Sequence, residues 1–226
     1  MNGRISEIFD SVQGEGIYFG EKQLFVRFFG CNLSCRFCDT KLDRFTEYEP
    51  RELLEEIRLY KDKQDSFESI SFTGGEPLLQ AGFLQEVLKL TSGHGYKNYL
   101  ETNGTLPGEL SEVIDYLHTV AMDLKLPSSS GMPQLWPMHR RFLKTASRKD
   151  VFIKAVICGT TSEDDIRQAA ELILEADRSA ILVLQPNSFE KISALTERLG
   201  QFKDYCVGRG VITCVIPQLH KKIGLR

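Results

Sequence analysis

Branched and aromatic side chains gather in seven short runs, at residues 24–29, 69–72, 98–101, 120–124, 151–157, 180–184 and 211–216. Runs of this length, rich in Val, Ile, Phe and Leu, predict strands. Between most of them the apolar positions change to a helical period. After Pro50, suited to a first helical turn, Leu53, Leu54, Ile57 and Tyr60 share a stripe. Leu84, Val87 and Leu88 form another, and Leu110, Val113, Ile114 and Leu117 a third. Ser162, with Asp165 three residues on, resembles a capping box opening a helix through Ala176, with Ile166, Ala169 and Ile173 inward. Ile192, Leu195 and Leu199 mark one more. Residues 126–138, with three prolines and a serine run, read as a loop.

Strand–helix alternation predicts an α/β fold of parallel strands with right-handed crossovers, as an open sheet or a complete or partial barrel. The unusual residues follow successive strands: 30–40, 73–77, 102–105 and 125–131. The carboxyl ends of parallel strands share one face, where sites are built, so four motifs are predicted to converge.

At 226 residues one domain spanning 1–226 is expected. The balance of 28 basic against 31 acidic residues, net −3, provides no basic field for nucleic acid or anionic lipid. No apolar stretch approaches the roughly 18 residues of a membrane span, and no leader pattern opens the chain, so a cytoplasmic location is expected. Three of the six cysteines, Cys31, Cys35 and Cys38, fall within eight residues, whereas Cys158, Cys206 and Cys214 are scattered in apolar segments and read as core. That distribution argues for a metal site in a reducing compartment rather than a disulfide framework.

Thiolates on one short loop favour zinc or an iron–sulfur cluster. Structural zinc wants a fourth ligand with its own paired spacing, yet His94, His118, His139 and His220 are isolated from each other. A cluster on three cysteines leaves one iron open for chemistry.

The three-cysteine loop, with Phe37 before Cys38 and the Thr73-Gly74-Gly75-Glu76-Pro77 segment downstream, resembles the radical S-adenosylmethionine superfamily. Ser11-Val12-Gln13-Gly14-Glu15-Gly16, Arg27, Cys38-Asp39-Thr40 and the closing Pro217-Gln218-Leu219-His220-Lys221 resemble, more narrowly, the 7-carboxy-7-deazaguanine synthase family. The resemblance implies a partial parallel β/α barrel and a [4Fe-4S] cluster on Cys31, Cys35 and Cys38. It implies S-adenosylmethionine at Phe37, Cys38, Asp39, Gly75, Asp123, Leu124 and Lys125, cleaved to methionine and a 5′-deoxyadenosyl radical. It also implies a carboxylated tetrahydropterin substrate at Val12, Gln13, Gly14, Glu15, Arg27 and Thr73, Mg2+ on Thr40, a flavodoxin or ferredoxin as electron donor, and a homodimer. The residue chemistry is compatible: Gln13 and Glu15 between glycines can meet a flat heterocycle of donors and acceptors, and Arg27 can clamp a carboxylate.

Other readings attach to the same residues. Asn103, Gln185 and Pro186 serve as ligand wall or as simple turns, Trp136 as pterin stacker or core cover, and the basic end through Arg226 as ligand contact or solvated tail. A glycyl-radical activase is disfavoured by Gln13-Gly14-Glu15-Gly16 and Cys38-Asp39-Thr40. An electron carrier or zinc module needs no Gly74-Gly75-Glu76 cofactor groove.

Overall fold

The computed structural model describes residues 2–40, 42–63 and 67–218. The seven anticipated runs all form strands: β2 (Lys22–Phe28), β4 (Ser69–Gly74), β5 (Asn98–Thr102), β6 (Thr119–Asp123), β7 (Asp150–Ile157), β8 (Ile181–Pro186) and β9 (Thr213–Val215). Two further strands, β1 (Gly3–Val12) and β3 (Thr46–Tyr48), join them in one sheet of order β3-β1-β2-β4-β5-β6-β7-β8-β9. From β2 to β9 every pairing is parallel, and β1 runs antiparallel to both β2 and β3. The two edge strands do not meet, so the barrel is partial, as expected.

The helices are α1 (Pro50–Lys63), α2 (Ala81–Gly93), α3 (Pro107–Val113), α4 (Pro127–Ser130), α5 (Trp136–Ala146), α6 (Glu163–Ala176) and α7 (Ile192–Gly208). They cover the outer face of the sheet. Leu24, Val26, Phe28, Ile70, Phe72, Leu100, Val120, Met122, Ile153 and Leu182 project outward into one continuous core with Leu53, Ile57, Leu84, Val87, Leu110, Ile166 and Leu199.

Because strand side chains alternate, the intervening residues face the barrel interior. Tyr99, Ala121, Phe152 and Val183 form a small inner cluster, closed by Ile17 and Tyr18 from the β1–β2 connection. One step further along the same strands come Glu101, Asp123, Lys154 and Gln185. The alternation that builds the outer core thus sets a polar ring above an apolar floor.

Two expectations are corrected. Residues 126–138 are not all loop, since α4 and the start of α5 lie there, each with a proline in its first turn, where the missing N–H is no loss. The capping box at Ser162 is only half formed. Ser162 accepts from the Asp165 N–H at 3.2 Å, but the Asp165 carboxylate turns to the N–H of Ser128 at 2.8 Å and to its hydroxyl. This ties α6 to α4 rather than closing on its own helix. The outlying thiols behave as core: Cys158 and Cys206 are buried, and Cys214 packs against the inner cluster.

Candidate active site

A cavity of about 610 Å³ opens at the carboxyl ends of the parallel strands. Its walls bring together Val12, Gln13, Gly14, Glu15, Arg27, Cys31, Cys35, Phe37, Cys38, Asp39, Thr40, Thr73, Gly75, Asp123 and Lys125. Of the cofactor- and substrate-binding residues that the resemblance implies, Leu124 alone departs: its side chain lies in the outer core, and its backbone N–H donates to the Lys154 carbonyl at 2.7 Å. Adjacent strand residues cannot both face inward, and Asp123 and Lys125 take the cavity side. Trp136, the first residue of α5, is buried edge-on to His139, which is core cover. Gln185 lines the cavity and its Oε1 has no partner, whereas Pro186 does not reach it. The basic end from 219 to 226 lies outside the described residues.

The cysteine loop leaves β2 at Gly30, whose φ of +95° turns the chain back over the strand ends. Gly75 is needed for a reason the sequence did not disclose. A Cβ there would lie 2.0 Å from the Gly30 carbonyl oxygen and 3.0 Å from Cys31 Cβ, so the β4 turn and the cysteine loop pass in direct backbone contact. Burial pushes the Cys31 and Cys35 thiols above the ordinary range, and Lys125 opposes this for both. Among the described residues no three such side chains stand at metal-ligating separation, so the thiols share a wall without being drawn together. The donor set still suits an iron–sulfur centre. It offers three thiols, the Leu33 N–H 3.5 Å from Cys31 Sγ, and no competing carboxylate on the loop before Asp39.

The ring above the floor carries opposed charges. Lys154 pairs with Glu15 and lies 3.5 Å from Asp123, which also meets Lys125 at 2.8 Å. Burial alone would raise the Asp123 pKa, but Lys125 and Lys154 together hold it below the usual carboxylate range. Burial likewise works against the charge on Lys154, and Glu15 and Asp123 override it, raising its pKa. Lys125 also lies over the Phe37 ring, 5.3 Å from its centroid.

Gln13 is buried and donates to Glu101 at 2.8 Å and to Gln23 at 3.1 Å, while its own carbonyl accepts from the Glu15 N–H at 3.1 Å. Thr73 donates to the other oxygen of Glu101 at 2.7 Å. Gln218 reaches back to Glu15. Arg27 stands 3.4 Å from Glu7 and above the Phe9 ring, with its guanidinium on the cavity wall.

Lys154, Tyr99 and Phe152 are cavity residues that the sequence reading does not single out, whereas Glu101 stands in a strand-end segment that it does. One signal was present: Lys154 is the lone charge in the otherwise apolar run 151–157, two residues after an inward phenylalanine.

The model of the Radical SAM superfamily matches residues 25–192, well over half of the chain, and this fold with its three-cysteine wall defines a protein of that class. A 7-carboxy-7-deazaguanine synthase of Geobacter sulfurreducens is 34% identical, with 97% of this chain and 96% of that protein aligned. The enzyme of that name from Archaeoglobus fulgidus is also 34% identical, over the full length of both. The crystal structure of QueE from Escherichia coli shares the fold with a TM-score of 0.66 and 22% identity, covering 95% of this chain and 94% of that one. The chain belongs to the 7-carboxy-7-deazaguanine synthase family. A [4Fe-4S] cluster and S-adenosylmethionine are the cofactors that the superfamily implies.

Proposed function

We propose that this protein converts 6-carboxy-5,6,7,8-tetrahydropterin to 7-carboxy-7-deazaguanine and ammonia. One observation carries the reading: a single cavity joins a wall of three thiols to a ring of amide and carboxylate groups, and Arg27 lines the same cavity. Cys31, Cys35 and Cys38 would hold the cluster, and Phe37, Cys38, Asp39, Gly75, Asp123 and Lys125 the S-adenosylmethionine. When bound, these groups supply the one-electron chemistry that removes a hydrogen atom from the substrate. Product and ammonia together have the composition of the substrate, so turnover needs no net oxidant.

The protein's own groups bind and orient. Glu15, paired with Lys154, accepts from the amino and ring N–H groups of the pyrimidinone, and Gln13 and Thr73 complete that edge from positions fixed by Glu101. Arg27 takes the substrate carboxylate, the shape a guanidinium fits with two hydrogen bonds. Mg2+ at Thr40 would share that carboxylate, since this cation binds through few protein oxygens and keeps waters. Tyr99 and Phe152 close the lower end against solvent. A flavodoxin or ferredoxin supplies the electron, and the chain works as a homodimer. Exposed Phe189, next to the rim residues Asn187 and Ser188, supports a protein contact near the cavity mouth.

The test is anaerobic reconstitution followed by assay with this pterin across a magnesium titration. Cluster-loaded protein should release 7-carboxy-7-deazaguanine. Arg27→Ala should weaken substrate engagement by about 1.5 to 3 kcal/mol, roughly 10- to 150-fold in KM. Thr40→Ala should lose the magnesium response while keeping its iron. Loaded protein that ignores the pterin would end the substrate assignment, and an unchanged magnesium response in Thr40→Ala would end the ligand assignment alone.

A further inference from the structure

Asn103 closes β5 and has every polar group committed. Its N–H donates to Glu76 Oε2 at 2.7 Å, and its carbonyl accepts from His139 Nε2 at 3.2 Å. Its Oδ1 accepts from the Thr105 N–H at 3.1 Å and from the Thr105 hydroxyl at 2.6 Å. These four contacts are enough to shape the turn. The remaining group, Nδ2, leaves the turn: it donates to Asn32 Oδ1 at 2.8 Å and stands 4.0 Å from Cys31 Sγ. Asn32 returns a bond from its own Nδ2 to Thr105 Oγ1 at 2.9 Å. Asn103, Asn32 and Thr105 therefore form a closed ring of hydrogen bonds across two loops, and the residue it grips immediately follows Cys31.

We propose that Asn103 is a positioning residue for the iron–sulfur centre: through Asn32 it fixes Cys31, and through Nδ2 it offers that sulfur a hydrogen bond that makes the cluster easier to reduce. The proposal rests on the reading that Cys31 ligates the cluster. An N–H aimed at a ligating sulfur stabilises added negative charge, so it favours the reduced state and raises the potential. Asn103 is itself almost fully buried, with 5% of its surface exposed, and is anchored by a wholly buried carboxylate, so its amide is held where the sulfur needs it.

The experiment is a redox titration of anaerobically loaded protein, followed by electron paramagnetic resonance of the reduced cluster, with iron content measured in parallel. Asn103→Ala removes the donor and adds no charge. At a fixed potential its ratio of reduced to oxidised cluster should fall about tenfold, equivalent to about 59 mV for a one-electron couple. Asn103→Asp keeps the acceptor for Thr105 but turns an acceptor toward the sulfur, and should fall further. Asn32→Ala leaves the Glu76, Thr105 and His139 contacts of Asn103 in place. It should lie between wild type and Asn103→Ala, and it serves as the measured variant if changes at 103 do not load iron. Wild-type protein without iron would overturn the cluster reading and this inference with it. Full iron in wild type and variants with an unchanged potential would overturn the inference alone, as would a shift in Asn103→Asp that Asn103→Ala does not share.

Discussion

Lys154 shows how one side chain organises the cavity. An ammonium only 15% exposed on the cavity wall is tolerated because two carboxylates from separate elements meet it, Glu15 from the β1–β2 connection and Asp123 from the end of β6. Removing the lysine leaves Glu15 without its cationic partner and Asp123 with Lys125 alone. Lys154→Met is therefore expected to destabilise the protein by about 3 to 5 kcal/mol, the usual effect of breaking a buried pair from one side. Lys154 has a folded pKa above its unfolded value, so its contribution is fully present below about pH 10.5 and is lost only as pH rises through the folded value. Asp123 has a folded pKa below its unfolded value, so its contribution is present above about pH 3.8 and lost on acidification. Between about pH 6 and 9 the stability gap between wild type and Lys154→Met should accordingly be flat. Urea unfolding at several pH values measures it, and a gap that closes toward pH 9 would contradict the pairing.

At the scale of elements, the ends of β4 and β5 are joined through Glu76. Its carboxylate is wholly buried and accepts from the Leu78 N–H at 3.1 Å, the Thr102 hydroxyl at 2.9 Å and the Asn103 N–H at 2.7 Å. Burial pushes its pKa up to about 7, against the lowering effect of those three donors. His139, on α5, meets the other side of Asn103, and burial brings its pKa down to about 4. The two effects have opposite signs. The raised Glu76 pKa makes stability fall as pH rises from about 4.5 to 7, by roughly 3 kcal/mol if fully expressed. The lowered His139 pKa makes stability fall as pH drops from about 6.5 to 4, by a similar amount. Across their shared window the slopes largely cancel. In His139→Phe the Glu76 slope should stand alone, so cluster-free protein should gain stability relative to wild type as pH falls from about 6.5 to 4.5. Denaturant midpoints through that range are the measurement, and parallel wild-type and His139→Phe curves would refute the opposition.

These elements also show what the sequence could and could not disclose. The strands of the parallel sheet were legible because all but the partly buried β9 are short apolar runs largely buried on both faces, and the site followed because its motifs sit just past those runs. The strand β1 escaped notice: Arg4, Glu7 and Asp10 interrupt its apolar positions, since it lies toward one edge of the sheet with part of its surface open. The helix beginning at Trp136 was hidden by the proline in its first turn, which looks like a loop signal until the missing N–H is placed among those that a helix start leaves free. Glu76 was visible as part of a motif, but its role as a clamp depends on Thr102 and Asn103, 26 and 27 residues later, and no local pattern carries such a pairing.

Over the whole molecule, the site is a pocket rather than a channel because the connection between the first two strands folds into the lower end of the barrel. Ile17 and Tyr18 lie against Tyr99, Ala121, Phe152 and Val183. The Tyr18 ring meets Tyr99 edge-on at 6.0 Å between centroids and Phe152 at 6.2 Å, and its hydroxyl bonds to Asp150 at the start of β7. Gly16 lies between this plug and the binding residues. At φ +67°, with a would-be Cβ 2.4 Å from the Phe152 ring, it allows the chain to turn from the floor toward Glu15 where a side chain could not fit. Floor and binding loop are thus one segment, so loosening the floor should be read at the substrate and not at the thiols. Tyr18→Phe keeps the ring contacts and loses one hydroxyl bond, a change of about 0.5 to 1.5 kcal/mol in stability with little effect on KM. Tyr18→Ala removes the plug, costs about 1 to 3 kcal/mol because the ring is only half-buried, and should raise KM for the pterin at least tenfold because Gln13 and Glu15 lose their fixed approach. Iron content should be unchanged in both variants. Steady-state kinetics beside iron analysis separates the cases: a Tyr18→Ala protein with normal KM would show that the binding loop is held from elsewhere, and loss of iron in that variant would show that the floor also supports the cysteine wall.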